Sequence, residues 1–251
     1  MTAGWAEIGD RVFVRRHHGL DLNCGLVVGD DACLVVDTRS HLGEGRALAE
    51  AVRAVTPHPW TVVNTHPHYD HCFGNAAFRP ADVWAHRRCA ADLAATADLQ
   101  RADAVAGMLA DGDPGAELVA AAPVDLPDHL VDRAAVLPIG GRPVSLRYLG
   151  RGHTDADLVV AVDDVLFAGD LVEEGAPPAM DDAFPLEWPV TMTALLELVR
   201  GPVVPGHGAV VDAAYVAAQR DELAELARWL TGSGGAPVFD ELTRARARAR
   251  C

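Results

Sequence analysis

The run His66-Pro67-His68-Tyr69-Asp70-His71 places three imidazoles and a carboxylate within six residues, directly after the apolar stretch Trp60-Thr61-Val62-Val63-Asn64-Thr65. Imidazole nitrogen and carboxylate oxygen together suit borderline divalent metals, zinc foremost, with iron and manganese as alternatives. One HxH pair in a chain with eleven histidines is a weak signal by itself. Four donors at one strand end are a stronger one, because they can serve two metal ions rather than one. Three later segments each bring a further donor after a β-rich run: Gly150-Arg151-Gly152-His153-Thr154-Asp155, Phe167-Ala168-Gly169-Asp170 and Val204-Pro205-Gly206-His207-Gly208. Glycine in these turns lets the backbone fold tightly and leaves room near a metal. His66, His68, Asp70, His71, His153, Asp170 and His207 are then enough donors for two ions with water between them.

The elements that must deliver these side chains are readable from periodicity. Residues 11–15, 23–28 and 32–37 are short β-rich runs, the last two joined by a Gly-Asp-Asp turn. Residues 42–55 have apolar positions at helical spacing, closed by Thr56-Pro57. The strand at 60–65 delivers the histidine run, and 82–86 reads as another strand. Residues 87–122 are rich in alanine and broken at Gly112-Asp113-Pro114-Gly115, which predicts two or three inserted helices that either pack as a layer or wall the active site. From about 134 strands return at 143–149, 157–162 and 165–168. A helix at 189–200, a strand at 203–204 and a helix at 212–230 follow. Strands followed by helices occur twice, which suits two packed sheets with helices outside. Residues 1–231 are expected to form one domain, and 232–251, with its Arg-Ala alternation, a flexible tail that is mobile or loosely docked.

Bulk properties exclude several classes. The chain has 251 residues, half of them hydrophobic, so it can bury a substantial core. A formal net charge of -15 argues against nucleic acid, which calls for basic patches. No signal peptide or membrane span is evident, so a cytoplasmic location is expected. The five cysteines are odd in number and lack CxxC spacing; buried thiols are expected rather than a disulfide framework, although Cys24 and Cys33 flank a turn.

In their order, HxHxDH, GHT, AGD and PGHG closely resemble the motifs of the metallo-β-lactamase superfamily, over residues from about 10 to about 230. The resemblance implies an α/β fold, an αββα sandwich of two mixed β-sheets with helices on the outer faces and a metal site at one edge. It further implies that His66, His68 and His153 hold a first metal, that Asp70, His71 and His207 hold a second, and that Asp170 bridges both. True β-lactamases of this fold generally lack the bridging Asp and are exported. Hydroxyacylglutathione hydrolases and persulfide dioxygenases follow GHT with Gly-His, where this chain has Asp155-Ala156-Asp157. Diiron oxygen reductases replace a motif His with Glu and append a flavin domain. With these departures the chain looks like one of the single-domain bacterial hydrolases of the superfamily, whose substrates vary widely.

The expected chemistry is hydrolysis of a small ester, thioester, lactone or amide by a hydroxide shared between two divalent ions, whose pKa falls from about 15.7 toward roughly 7. Asp70 is the candidate catalytic residue, orienting that hydroxide and accepting its proton. Asp37, closing a strand, is a candidate partner for a ligand histidine. Trp188, Glu173, Glu174 and Met180 lie in a region expected to border the site, with Trp188 read as a core aromatic; His17 and His18 are read as ordinary loop residues. The partner is a small-molecule substrate. The rival readings are a mononuclear iron dioxygenase acting on a thiol or persulfide, and a metal-stabilised binding protein without turnover.

Overall fold

The computed structural model describes residues 4–251. Seven strands form the first sheet in sequence order: β1 (Ala6–Gly9), β2 (Val12–Arg16), β3 (Asn23–Val28), β4 (Cys33–Val36), β5 (Trp60–Val63), β6 (Val83–His86) and β7 (His129–Val131). The pairs from β1 to β4 are antiparallel and those from β4 to β7 parallel. The second sheet has the order β12-β11-β10-β9-β8, built from β8 (Ala134–Ile139), β9 (Arg142–Tyr148), β10 (Leu158–Val162), β11 (Val165–Glu173) and β12 (Val203–His207). Only β11 and β12 pair in parallel there. Both sheets are therefore mixed, and the αββα sandwich expected from the sequence is the observed fold.

Period-two burial explains why both central strands read as unbroken apolar runs. Along β4, Leu34 and Val36 enter the core between the sheets, while Cys33 and Val35 face the opposite layer. That layer is helix α1 (Leu42–Arg53), which docks Leu48 and Val52 on Leu26, Val35 and Val62. Strand β11 behaves the same way: Val165 and Phe167 point inward, whereas Leu166 and Ala168 meet the helices α5 (Trp188–Leu196) and α6 (Ala213–Leu230). A strand covered on both faces has no polar side to show, and the alternation signal disappears.

The segment 87–122 forms two helices, α3 (Arg87–Asp111) and α4 (Ala116–Ala120), after the single turn α2 (Tyr69–Cys72). Gly112, at φ +69, ends α3 in the left-handed conformation, as the Gly-Asp-Pro-Gly break anticipates. Of the 25 residues of α3 only Cys89, Leu93 and Ala97 are buried, all in its first half. The second half runs past the mouth of the site as a wall.

Two readings need correction, and two strands have no counterpart in the sequence reading. The strands β1 and β7 give no clear run in the sequence, because β1 shows no residue buried on either face and β7 has three residues. Strand β11 continues five residues past Ala168, so Asp170 lies within it rather than beyond its end. The tail is not free: residues 241–249 form helix α7 (Glu241–Ala249), capped by the Asp240 carboxylate and seated through Ala247, with Phe239 just before it, in the α5–α6 core. All five cysteines are free; Cys33 sits opposite Val28, so it does not face Cys24. No helix among the described residues is long and apolar enough to cross a membrane.

Candidate metal centre

All seven predicted donors meet at one edge of the sandwich. His66 and His68 lie in the turn after β5, Asp70 and His71 on α2, His153 between β9 and β10, Asp170 on β11 and His207 at the end of β12. They form two groups, His66/His68/His153/Asp170 and Asp70/His71/His207, within each of which the donor atoms lie no more than 4.8 Å apart. Asp170 stands between them. Its Oδ2 is 3.5 Å from His66 Nε2, 3.4 Å from His153 Nε2 and 3.3 Å from His207 Nε2, while Oδ1 is 3.3 Å from His71 Nε2. Asp70 Oδ2 is 3.4 Å from His207 Nε2.

Two glycines make this approach possible. Gly169, at φ +54, sits at the register shifts between β11 and β12 next to Asp170, and a Cβ there would fall 2.8 Å from Thr65 Cβ. Gly206 lies so close to Asp170 that a Cβ there would fall 1.7 Å from Oδ1.

Four of the five imidazoles are oriented from behind by a hydrogen bond, and His153 Nδ1 is buried without a partner among the described residues. Asp37 takes hydrogen bonds from Thr65 N, Thr65 Oγ1 and His71 Nδ1, each at 2.8 Å, so the expectation that it supports a ligand histidine holds. Because the Thr65 hydroxyl donates to Asp37, it accepts from His66 Nδ1 at 3.0 Å and leaves His66 Nε2 bare. His207 Nδ1 donates to Leu20 O (2.7 Å), and His68 Nε2 donates to Asp182 Oδ2 (2.9 Å). His153 has the buried Glu173 carboxylate 3.8 Å from Nδ1. Asp182, Thr65 and the Leu20 carbonyl were not anticipated. Thr65 could have been, as it adjoins His66; Asp182 is 114 residues from His68 and carries no local signal.

These residues fit divalent cations. His66 Nε2 and Asp170 Oδ1 are buried without a hydrogen-bond partner among the described residues, and His68 Nδ1 faces His153 Nε2 at 2.9 Å. Bare acceptors turned toward one another ask for a cation or a proton between them. In the metal-free chain protons take that place. Burial opposes charge on His207, yet Asp170 and Asp70 push it up to about 11. Burial likewise opposes charge on His68, which Asp182 raises to about 9. His153 falls to about 4 and His66 well below its usual value, both mainly through burial. Asp170 is held well below the carboxylate range by the imidazoles around it, although burial acts the other way.

The remaining candidates sort clearly. Trp188 is a core side chain whose indole Nε1 donates to Leu171 O and whose ring sits edge-on to His153, with centroids 5.8 Å apart. Met180 is buried, and the Glu174 carboxylate accepts from Ala209 N. His17 and His18 are absent from both donor groups.

The family model of the metallo-beta-lactamase superfamily matches residues 19–227. The chain belongs to the metallo-beta-lactamase superfamily. Its members are mostly metal-dependent hydrolases. Among solved structures, the stereoselective inverting sec-alkylsulfatase Pisa1 from Pseudomonas sp. matches with TM-score 0.77 at 18% identity, covering 99% of this chain and 49% of that one. A double mutant of the sec-alkyl sulfatase PisA1 matches with TM-score 0.79. The chain therefore spans about half the length of these first matches. A metallo-beta-lactamase from Pontibacter korlensis matches with TM-score 0.67 at 20% identity, covering 88% and 98%. The metallo-beta-lactamase FIM-1 from Pseudomonas aeruginosa, in a mono-zinc form, gives 0.65 at 17%, covering 87% and 94%. At these identities the likeness is one of fold. No curated protein is a significant match.

Proposed function

We propose that this protein is a binuclear metal-dependent hydrolase of a small ester, thioester, lactone or amide. His66, His68 and His153 would hold one ion, Asp70, His71 and His207 the other, and Asp170 would bridge them. The observation that carries this reading is the position of Asp170 between the two donor groups, with an oxygen toward each. Bound divalent zinc, iron or manganese would acidify water and polarise the scissile carbonyl. The protein's own part is orientation and proton handling. Asp70 aims Oδ2 at the second group, so its carboxylate can position a water and take up its proton. The contacts to the buried Asp37 and Thr65 and to the half-buried Asp182 keep the bare nitrogens of His71, His66 and His68 turned inward.

Beside His68 and Asp70 opens a cleft of about 650 Å³, walled by α3. Its lining carries Asp92, Asp103, Asp181 and Asp182, with no Lys or Arg. Such a wall disfavours an anionic substrate, including a sulfate ester like those implied by the alkylsulfatase name. A neutral or cationic small molecule is the better fit.

Metal analysis of purified protein with a panel of chromogenic esters, thioesters, lactones and a cephalosporin tests the reading. Two metals per chain, and turnover that falls by several orders of magnitude in Asp70→Ala, are expected. One iron with oxygen uptake on a thiol, or activity untouched by Asp70→Ala, refutes it.

A further inference from the structure

The residues 174–187 contain no helix or strand, yet they carry Asp182, the acceptor that orients His68. A carboxylate on an irregular segment, with its side chain 44% exposed, would by itself hold a histidine weakly, since solvent competes and the loop must be ordered. This one is anchored from outside. Arg250 donates from Nε to Ala183 O and from Nη2 to Asp182 O, both at 3.1 Å. Arg246 Nη1 lies 3.2 Å from Asp181 Oδ2. The Arg250 guanidinium also stands 5.8 Å from the Phe184 ring centroid, and Phe184 N donates to Gly152 O (2.8 Å), beside His153. Both arginines belong to α7 and its C-cap, and the helix is itself fixed by Ala247 in the core and by Arg244 and Arg248 over Trp229.

We propose that α7 is a brace for the first donor group: Arg246 and Arg250 hold the segment 181–184 so that Asp182 keeps His68 presenting Nδ1 to the cation. Arg246 and Arg250 are positioning residues, acting through Asp182. The second donor group has no such dependence, since His71 is held by Asp37 and His207 by Leu20 O. The effect is thus confined to one of the two metals. It concerns metal affinity and can be read without any substrate, so its failure is distinct from failure of the proposed hydrolase activity.

The test is chelator-competition titration with zinc in two backgrounds. His207→Ala keeps the first group intact, and His153→Ala keeps the second. Adding Arg246→Gln/Arg250→Gln should weaken zinc about 10- to 100-fold in the first background, the range typical of losing support behind a metal ligand, and leave the second within about twofold. Asp182→Ala should reproduce the loss, and combining it with the arginine changes should add nothing further, because all act on one contact. Arg250→Lys, which keeps a donor, should recover part of the affinity relative to Arg250→Gln. Urea unfolding of each metal-free variant separates folding from binding, and the single Arg250→Gln change is read in the same way if the double change does not fold. Unchanged zinc affinity in the first background, equal weakening in both, or additivity with Asp182→Ala overturns the proposal.

Discussion

Replacing Asp37 by Asn is expected to weaken metal binding while leaving the fold in place, and the reason lies in the direction of hydrogen bonds. Asp37 sits at φ +62, a left-handed conformation that Asn tolerates better than most residues, so the backbone is not the source of the effect. The carboxylate accepts three bonds: Oδ1 from Thr65 N, and Oδ2 from Thr65 Oγ1 and His71 Nδ1. An amide cannot accept at both ends. If its NH₂ takes the Oδ1 place, it meets the backbone N–H of Thr65, which has no alternative tautomer. If it takes the Oδ2 place, it meets the Nδ1–H of His71, and relief requires His71 to move its proton to Nε2, the nitrogen that faces Asp170. Either outcome sets buried donor against donor in a residue only 2% exposed. Such a group costs about 1–3 kcal/mol, or roughly 5- to 150-fold in affinity, close to the 10- to 100-fold usual for supporting residues. The Thr65 hydroxyl, freed from the carboxylate, can donate to His66 Nδ1 only if that proton moves to Nε2, which would spread a smaller effect to the first group. Zinc affinity by chelator competition, beside urea unfolding of the metal-free protein, is the assay. Affinity within threefold of the parent, or a loss matched by the metal-free protein's own destabilisation, refutes the tautomer argument.

Four other outcomes are expected. In metal-free protein His207 and His68 titrate near 11 and 9, above the usual 6.5, so their stabilising contribution is complete below 6.5 and is lost as pH rises through those values. The melting temperature with chelator should fall as pH rises from 6.5 to 9, while with zinc it should not; parallel profiles refute this. Metal removal should also lower stability, by about 2.7 kcal/mol for each zinc held at a hundred times its dissociation constant, as read by calorimetry. Gly206→Ala should displace Asp170 and abolish tight binding at one or both sites, because the new methyl would lie 1.7 Å from Oδ1; full metal content in this variant contradicts the geometry. Phe167→Ala, which empties a ring-sized space between the sheets, should cost about 3–5 kcal/mol in urea unfolding; a cost under 1 kcal/mol contradicts the packing.

Donor types and their strand-end setting were legible because they are local. The run 66–71 puts two histidines in a turn and Asp70 and His71 on one helical turn, and no distant contact is needed to see this. The inserted helices announced themselves through alanine and the Gly112 break. The length of β11 did not, since Gly169 and Asp170 look like a strand end and are retained only by parallel pairing with β12. Helix α7 was missed for a related reason: its Arg-Ala alternation reads as solvated charge, and its order comes from Trp229, Phe184 and the loop 181–184.

By itself the chain's chemistry pointed to seven candidate donor side chains and to the extended segments that carry or precede them. Only the tertiary structure decided how far apart they stand, that Asp170 lies between the two groups, and which nitrogen of each histidine faces inward. That last choice rests on partners up to 187 residues away, such as Leu20 for His207 and Asp182 for His68. A hydrogen bond's direction is set by what lies behind the ring in space, and sequence separation carries no record of it.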